Sequence, residues 1–463
     1  MAERLITPED FAIGAPPRIM GTEAEDHVNL RNHSNVRITR IEKKGEDTRA
    51  ILAMMDPANF KKAGFTAYQP YSHEAWLSNG QRIYPDMSLF ESCTAEQLGP
   101  KRALAGTLAA IKVVQKLARE SEMDVMIFRR SATVEGKTIN KAGFHMNHIT
   151  SEKAASKIKD NAVMKIHSAT RFYTWAGMVT PEGYVLSQKA YALKDSKFKD
   201  KTDEDNGFAR IEDYTGDDSS PWGTFMAMAT TSVLMRVLEH PKEIDLNKRL
   251  TKLALSATSN AEEIVSIDTT FKEKLRLSDG RKMTAIQIQT ELADIAAEFA
   301  KRFQLPEDEQ FAVAEWQKVC GDLDNTAKTG DIKPLATRIG WASKKLWLER
   351  KNIGPLQADN PEAVLHDMSW DSYYPKEGGR LLYPRKTGLT IVSDAQVDAL
   401  VSNPPHETRA NARGAYVENP AVSIKGISWG ELLIKPHKVI NLGKKKKVST
   451  VYLHPYQTSI HDE

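Results

Sequence analysis

Apolar and polar residues alternate along 17–25, and again along 73–86, with the period of two that predicts strands whose two faces meet different surroundings. Between them the chain is polar and irregular to about residue 72, the expected mobile part. From Thr94 to about Glu122 the period lengthens: Leu98, Leu104, Leu108, Ile111, Val114 and Leu117 fall on helical spacing, and Thr94 with Gln97 reads as a capping box at the helix start. Residues 123–129 and 143–150 predict two further strands. Helical periodicity recurs at 151–170, 221–239, 284–303, 307–321 and 332–351, with strand-like pieces at 183–193 and 207–214. Beyond Pro375 the pattern changes to a short helix near 394–402, the Pro404-Pro405 break and alternation from 429 to 453, which predicts a separate C-terminal α+β unit. There is no fixed-period repeat and no low-complexity tract.

At 463 residues the chain can bury a large core. Its 64 basic and 61 acidic residues leave a net charge of +3, which gives no electrostatic argument for nucleic acid. The one basic run, Lys444–Lys447, reads as a solvated hairpin tip between Lys438-Val439-Ile440 and Val448–Leu453. Two cysteines, Cys93 and Cys320, form neither a metal-ligand spacing nor a disulfide framework, which predicts a reducing, cytoplasmic setting. No stretch approaches the roughly 20 apolar residues that span a bilayer, and the first residues lack the apolar run of a leader, so no membrane association is expected.

The candidate chemistry sits on the first strands. In RIMGTEAE, Glu23 and Glu25 share a strand face, and in NGQRIYPDMSLFES so do Arg82, Tyr84 and Asp86. Carboxylates, a phenol and an arginine make poor core material, because unpaired buried charge is costly, but a good site for a divalent cation with a polyphosphate. Each residue has a plainer reading. A lone Glu-x-Glu is commonly an exposed strand face, Tyr84 a core aromatic, Thr94 a helix N-cap and Cys93 a small buried side chain.

The segments RIMGTEAE, WLSNGQRIYPD, FESCTAE, GFHMN, FARIEDYTGDDSSPWG and PPHETRANARG occur in the order and approximate spacing of the Pup ligase and depupylase family. The chain resembles these glutamine-synthetase-like carboxylate–amine ligases from about Arg18 to its C-terminal hairpin. The resemblance implies an α+β fold: a glutamine-synthetase-like domain over 1–385, with a curved, mainly antiparallel sheet packed on helices, and a small C-terminal α+β domain over 386–463 that closes on the nucleotide. It assigns Mg²⁺ to Glu23, with Glu25 beside it, and to Tyr84 and Glu91. It assigns ATP to Arg82 and Thr94, and proton acceptance to Asp86. His145 resembles the histidine near the second metal, Arg210 and Arg409 the phosphate-facing arginines, with Arg413 a weaker match, and Trp429 the tryptophan packed near the nucleotide.

Three stretches depart from the family pattern. Arg129–Thr133 replaces an Asn-Asn-Thr-Asp run, Leu89-Phe90 replaces His-Pro, and Met146 stands inside the His-Glu-Asn triplet. They leave the metal and nucleotide end intact and leave room for a modifier other than Pup itself. The implied activity is ATP- and Mg²⁺-dependent joining of a glutamate side-chain carboxylate, on a small Pup-like protein, to a lysine amine of a target protein through an acyl phosphate. A monomer is the expected state. The alternatives are a depupylase-type amide or isopeptide hydrolase that uses the same site with bound nucleotide, and a small-molecule amide ligase. Thr22 in MGTE is closer to the hydrolytic branch, while Thr94-Ala95-Glu96 and the compact length are closer to ligases. A non-catalytic binding module would be expected to lack the metal glutamates or Asp86, and all are present.

Overall fold

The computed structural model describes residues 17–30, 51–71, 73–86, 89–121, 125–128, 132–134, 137–140, 143–149, 162–186, 208–211, 220–240, 243–254, 271–371, 390–427, 431–434 and 438–441. The strands are β1 (Ile19–Leu30), β2 (Ala67–Tyr71), β3 (Glu74–Leu77), β4 (Arg82–Asp86), β5 (Leu89–Cys93), β6 (Gln97–Leu98), β7 (Val125–Phe128), a hairpin of β8 (Ala132–Val134) and β9 (Lys137–Asn140), and β10 (Phe144–Ile149). A second small hairpin pairs β11 (Met178–Thr180) with β12 (Gly183–Val185), and β13 (Phe208–Ile211) follows. Nine of these form one sheet in the order β13-β10-β1-β5-β4-β3-β2, with β6 and β7 also pairing to the long β1. Every pairing in it is antiparallel.

Three expectations change. The span 73–86 is not one strand but the hairpin β3–β4, because Gly80 adopts a φ of 83° and the Asn79 Oδ1 accepts from the Gln81 N–H at 3.1 Å. The stretch up to residue 72 contains a helix, α1 (Pro57–Lys62), and buries Ile51, Met54, Met55 and Phe60. The helix expected from Thr94 begins instead at Pro100, as α2 (Pro100–Glu120). Gly99, at a φ of 83°, sets its start, Pro100 fits the first helical position, and Gln97-Leu98 is taken by the sheet, so no Thr94–Gln97 capping box forms. The strand-like 183–193 is described only over β12; of 151–170 the described helix is α3 (Ala162–Thr170).

The other helices are α4 (Pro221–Glu239), α5 (Ile244–Lys252), α6 (Ala285–Arg302), α7 (Glu307–Thr329), α8 (Gly340–Arg350), α9 (Pro361–Asp371), α10 (Asp394–Ser402) and α11 (Arg409–Glu418). Ser220 caps α4 and Pro221 opens it; a Thr284–Gln287 capping box opens α6. One sheet face is apolar. Met20, Ala24, Phe144 and Met146 join a core with α4, α6 and α7, while Ala75, Leu77, Ile83 and Phe90 pack with Ala105, Ala109, Val113 and Leu117 of α2. Val397 and Val401 of α10 enter that second cluster. A three-stranded sheet of β16 (Ile424–Ile427), β17 (Glu431–Ile434) and β18 (Lys438–Asn441) follows α11, with the two-stranded β14 (Leu275–Arg276) and β15 (Lys282–Met283) before α6. Lys444–Lys447 and Trp429 lie outside the described residues. Among the described residues no helix is long and apolar enough to cross a membrane.

Among the buried ion pairs of the described residues, one lies between helices and one between a helix and the sheet end. Where α4 crosses α7, Arg236 donates to both Glu309 oxygens at 2.6 and 2.9 Å, and neither side chain is exposed. At the sheet end, Arg413 of α11 donates to both Glu96 oxygens at 3.1 and 2.6 Å and to the Gly80 carbonyl at 3.2 Å. The helix sits so close to the hairpin turn that a Cβ on Gly80 would fall 2.8 Å from the Ala410 Cβ. Burial alone would raise the Glu96 pKa, but the Arg413 guanidinium holds it below the ordinary value.

Removing one member of a buried pair strands the other. Arg236→Met is expected to cost about 3–5 kcal/mol in denaturant unfolding, whereas Arg281→Met, in a partly exposed pair with Asp279, costs less than about 1 kcal/mol. A loss under about 1 kcal/mol at Arg236 would contradict this account. For Glu96 the folded-state pKa is depressed, so its stabilisation is present above the unfolded value and lost as pH falls through the folded one. The stability difference between the native chain and Glu96→Gln is therefore expected to be constant above about pH 5.5 and to shrink below about pH 4, read from unfolding curves across pH.

Candidate active site

The face of the sheet opposite the apolar core carries its charge in cross-strand rows. Antiparallel register sets Arg82 (β4) opposite Cys93 (β5), Cys93 opposite Glu23 (β1), and Glu23 opposite His145 (β10). One step along, Tyr84 stands opposite Glu91, and Glu91 opposite Glu25. Neighbouring strands are about 4.8 Å apart, so side chains in one row are within reach of each other. Asp86 ends β4 opposite Leu89 and is half-buried.

The contacts follow from that grid. The Tyr84 hydroxyl donates to Glu23 Oε1 at 2.8 Å, and the Cys93 Sγ lies 3.5 Å from the same oxygen. His145 Nε2 is 3.2 Å from Glu25 Oε1. Gly143, just before β10, leaves room for this pair, since a Cβ there would come within 2.8 Å of both the Glu25 Oε2 and the His145 Nε2. Two acidic trios result, Glu23–Glu91–Cys93 and Glu25–Asp86–Glu91, in each of which the ligand atoms lie within 4.8 Å of one another; Glu91 belongs to both.

Electrostatics explain why these groups suit a cation. Burial and the Glu23 charge push the Glu91 carboxyl well above its ordinary pKa. Burial, then Glu23, raises the Tyr84 phenol, and burial with Glu23 and Glu91 raises the Cys93 thiol. Glu91 Oε2 is buried with no hydrogen-bond partner among the described residues. An oxygen-rich cradle of this kind fits a hard divalent cation, with Glu23, Glu25 and Glu91 as donors, Tyr84 and His145 alongside and Asp86 at its outer end.

Arg82 lies over the Tyr84 ring at 4.2 Å, and its Nε donates to Glu74 Oε1 at 2.8 Å. Its Nη1 has no hydrogen-bond partner among the described residues, a buried donor suited to a phosphate oxygen. The Asn147 amide, 2% exposed, likewise has neither polar atom partnered among them. Thr94, just past β5, donates its N–H to the Thr22 carbonyl, and its hydroxyl accepts from the Thr22 N–H at 2.9 Å. Arg409 is buried at the start of α11, one turn before Arg413, and its charge adds to the field on Glu96. Arg210 is placed by its backbone opposite Asn147.

The structure thus brings together Glu23, Glu25, Arg82, Tyr84, Asp86, Glu91 and His145, and sets Thr94 and Arg409 at the border. Sequence reasoning missed Glu74, which orients Arg82 and also accepts from Trp76 Nε1 at 2.8 Å. The Asn79-Gly80 turn was the available signal, because a hairpin about it places Trp76 opposite Arg82. It also missed Glu96 as the partner of Arg413.

The chain is similar to known proteins over most of its length. Curated proteins described as Pup–protein ligase are similar over most of their length: that of Bifidobacterium longum subsp. infantis is 25% identical over 413 residues, covering 80% of this chain and 82% of the relative. That of Bifidobacterium animalis subsp. lactis is 24% identical over 415 residues, covering 80% and 81%. Among solved structures, the complex between prokaryotic ubiquitin-like protein Pup and its ligase PafA shares the fold, with a TM-score of 0.72 at 22% identity over 92% of this chain and 89% of the other. The Pup ligase PafA in complex with ADP gives 0.64 at 19% identity over 89% and 93%. The family model described as Pup-ligase protein matches residues 18–433, nearly the whole length, and the chain belongs to that family.

Proposed function

We propose that this chain is an ATP- and Mg²⁺-dependent ligase that joins a glutamate side-chain carboxylate of a small Pup-like protein to a lysine amine of a target protein. The observation that carries this reading is the pair of acidic trios sharing Glu91 beside the buried Arg82, with the half-buried Asp86 at their outer end. Glu23, Glu25 and Glu91, with Tyr84 and His145, would hold Mg²⁺, which when bound neutralises charge on the phosphate oxygens. Arg82 offers its Nη1 to a phosphate, and Arg409 and Arg210 are assigned to the same polyphosphate. Thr94 and Trp429 are assigned to the nucleotide, and the C-terminal unit from residue 386 to closing on it. The two unpaired, buried cysteines favour a cytoplasmic setting.

In the first half-reaction the modifier's carboxylate oxygen attacks the γ-phosphorus of ATP, giving an acyl phosphate and ADP. In the second, Asp86 takes a proton from the lysine ammonium, the amine attacks the acyl carbon, and phosphate leaves as the isopeptide bond forms. Its place at the rim suits Asp86 to this role, because the proton can pass to solvent. The family's hydrolytic branch draws less support. Thr22, the residue closest to that branch, turns its hydroxyl to Thr107 at 2.8 Å on the core side and stays away from the reacting groups.

Incubation with ATP, Mg²⁺, a Pup-like protein and a lysine-bearing target is expected to yield a species heavier than the target by the modifier minus water, with one ADP per bond, by intact-mass analysis. Cleavage of a preformed conjugate without steady ADP release would reverse the assignment. Asp86→Asn is expected to abolish conjugate formation while ATP affinity stays within about threefold; conjugation by that variant would remove Asp86 from its role. Glu91→Gln is expected to weaken Mg²⁺-dependent nucleotide binding at least about tenfold in calorimetry, since both trios lose a shared donor.

A further inference from the structure

The β3–β4 hairpin carries its side chains on two faces. Ala75, Leu77 and Ile83 join an apolar cluster, while Glu74, Trp76, Arg82 and Tyr84 alternate with them on the face of the acidic trios. Arg82 stands in one cross-strand row with Glu23, with only Cys93 between them. Adjacent strands are about 4.8 Å apart, so the two backbones are about 10 Å apart, a gap that an arginine and a glutamate close from both ends. Buried carboxylates that face one another, as Glu23 and Glu91 do, attract a cation within reach. An Arg82–Glu23 ion pair would occupy the oxygens that a divalent cation needs.

The structure holds Arg82 elsewhere. Its Nε donates to Glu74 Oε1 at 2.8 Å, and the same oxygen accepts from the Nε1 of Trp76, a buried indole, at 2.8 Å, so two donors fix the carboxylate. The Arg82 guanidinium carbon lies 4.2 Å from the centre of the Tyr84 ring, and its Nη1 is buried with no hydrogen-bond partner among the described residues. We propose that Glu74 is a positioning residue: it holds Arg82 off the Glu23 and Glu91 carboxylates, which leaves those oxygens for Mg²⁺ and Nη1 for a phosphate oxygen. The inference deepens the proposed ATP site and rests on that reading for the presence of cation and polyphosphate. An uncharged acceptor could make the same two hydrogen bonds, but only a carboxylate competes with Glu23 and Glu91 for a guanidinium.

The test is calorimetric titration of the metal-free full-length chain with Mg²⁺, nucleotide absent. Glu74→Gln, which keeps an acceptor oxygen for both Arg82 and Trp76, is expected to lower Mg²⁺ affinity at least about threefold, and Glu74→Ala at least about tenfold. Arg82→Met alone is expected to bind Mg²⁺ at least as tightly as the native chain. Placed in the Glu74→Ala background, Arg82→Met is expected to restore affinity to within about twofold of Arg82→Met alone, because the competing guanidinium is gone. A merely structural role would not give that recovery, since a second truncation does not repair lost packing. Unchanged affinity in Glu74→Gln and Glu74→Ala, a double variant as weak as Glu74→Ala, or a native chain that binds no Mg²⁺ overturns the proposal. Should Glu74→Ala not fold, Glu74→Gln with and without Arg82→Met decides by the same comparison. The titration reports metal affinity and not turnover. Unchanged affinity in a chain that forms the conjugate therefore removes the role of Glu74 and leaves the ligation reading standing, while the full pattern without any conjugate does the reverse.

Discussion

The constraint on which this structure depends is the cost of gathering buried carboxylates on one sheet face. Glu23 and Glu91 are almost fully buried, and burial together with the Glu23 charge bears on Glu91. A lone buried carboxylate adjusts by holding its proton, which is the direction in which Glu91 is shifted. A divalent cation does the same work without a proton, and then the arrangement becomes favourable. The strand register is what prevents the acids from relaxing apart: slipping β1 by one residue against β5 would carry Glu23 and Glu25 to the apolar side and Ala24 to the site.

Elsewhere the molecule handles buried charge in the opposite way. Arg236 meets Glu309, Arg413 meets Glu96, and Lys344 lies 2.8 Å from both Asp367 and Asp371 while also donating to the Gly177 carbonyl at 2.9 Å. In each case an acid and a base arrive together, with good geometry, at a junction between helices or between a helix and the sheet. Such pairs add little net stability over apolar replacements, but they penalise any misplacement of one element against the other. The sheet face with the candidate chemistry also has such pairs, Arg82 with Glu74 and His145 with Glu25, but adds the close approach of Glu23, Glu25 and Glu91 to one another.

Much of this was legible in the sequence because strand chemistry repeats every two residues. Glu23 with Glu25, and Arg82 with Tyr84 and Asp86, could be assigned to common faces from spacing alone, and the structure joins those faces through β5. What spacing cannot supply is the partner across a strand: Glu74 and Cys93 became visible only when the hairpin and the β1–β5 pairing were in place. The helix start was misplaced because Thr94 and Gln97 have the composition of a capping box, but pairing of Gln97-Leu98 with Ile19 and Met20 overrides that local preference. The short α11, which carries Arg409 and Arg413, has little apolar periodicity to announce it; its place is set by tertiary contacts.

Those contacts tie the C-terminal helix to the site more tightly than a simple packing surface would. The Arg413 and Arg82 guanidinium carbons lie 5.4 and 5.5 Å from the centre of the Trp76 ring, so two like charges share one aromatic neighbour. Each is held by its own acid, Arg413 by Glu96 and Arg82 by Glu74, and Glu74 also binds the indole N–H. If α11 lifts, Glu96 loses its base and the indole loses one cation. If Arg82 turns toward a phosphate, it must keep or give up its bond to Glu74, and the indole feels the change. Trp76 therefore stands in direct contact with both the arginine of the C-terminal helix and the arginine nearest the acidic trios, at the β3–β4 hairpin.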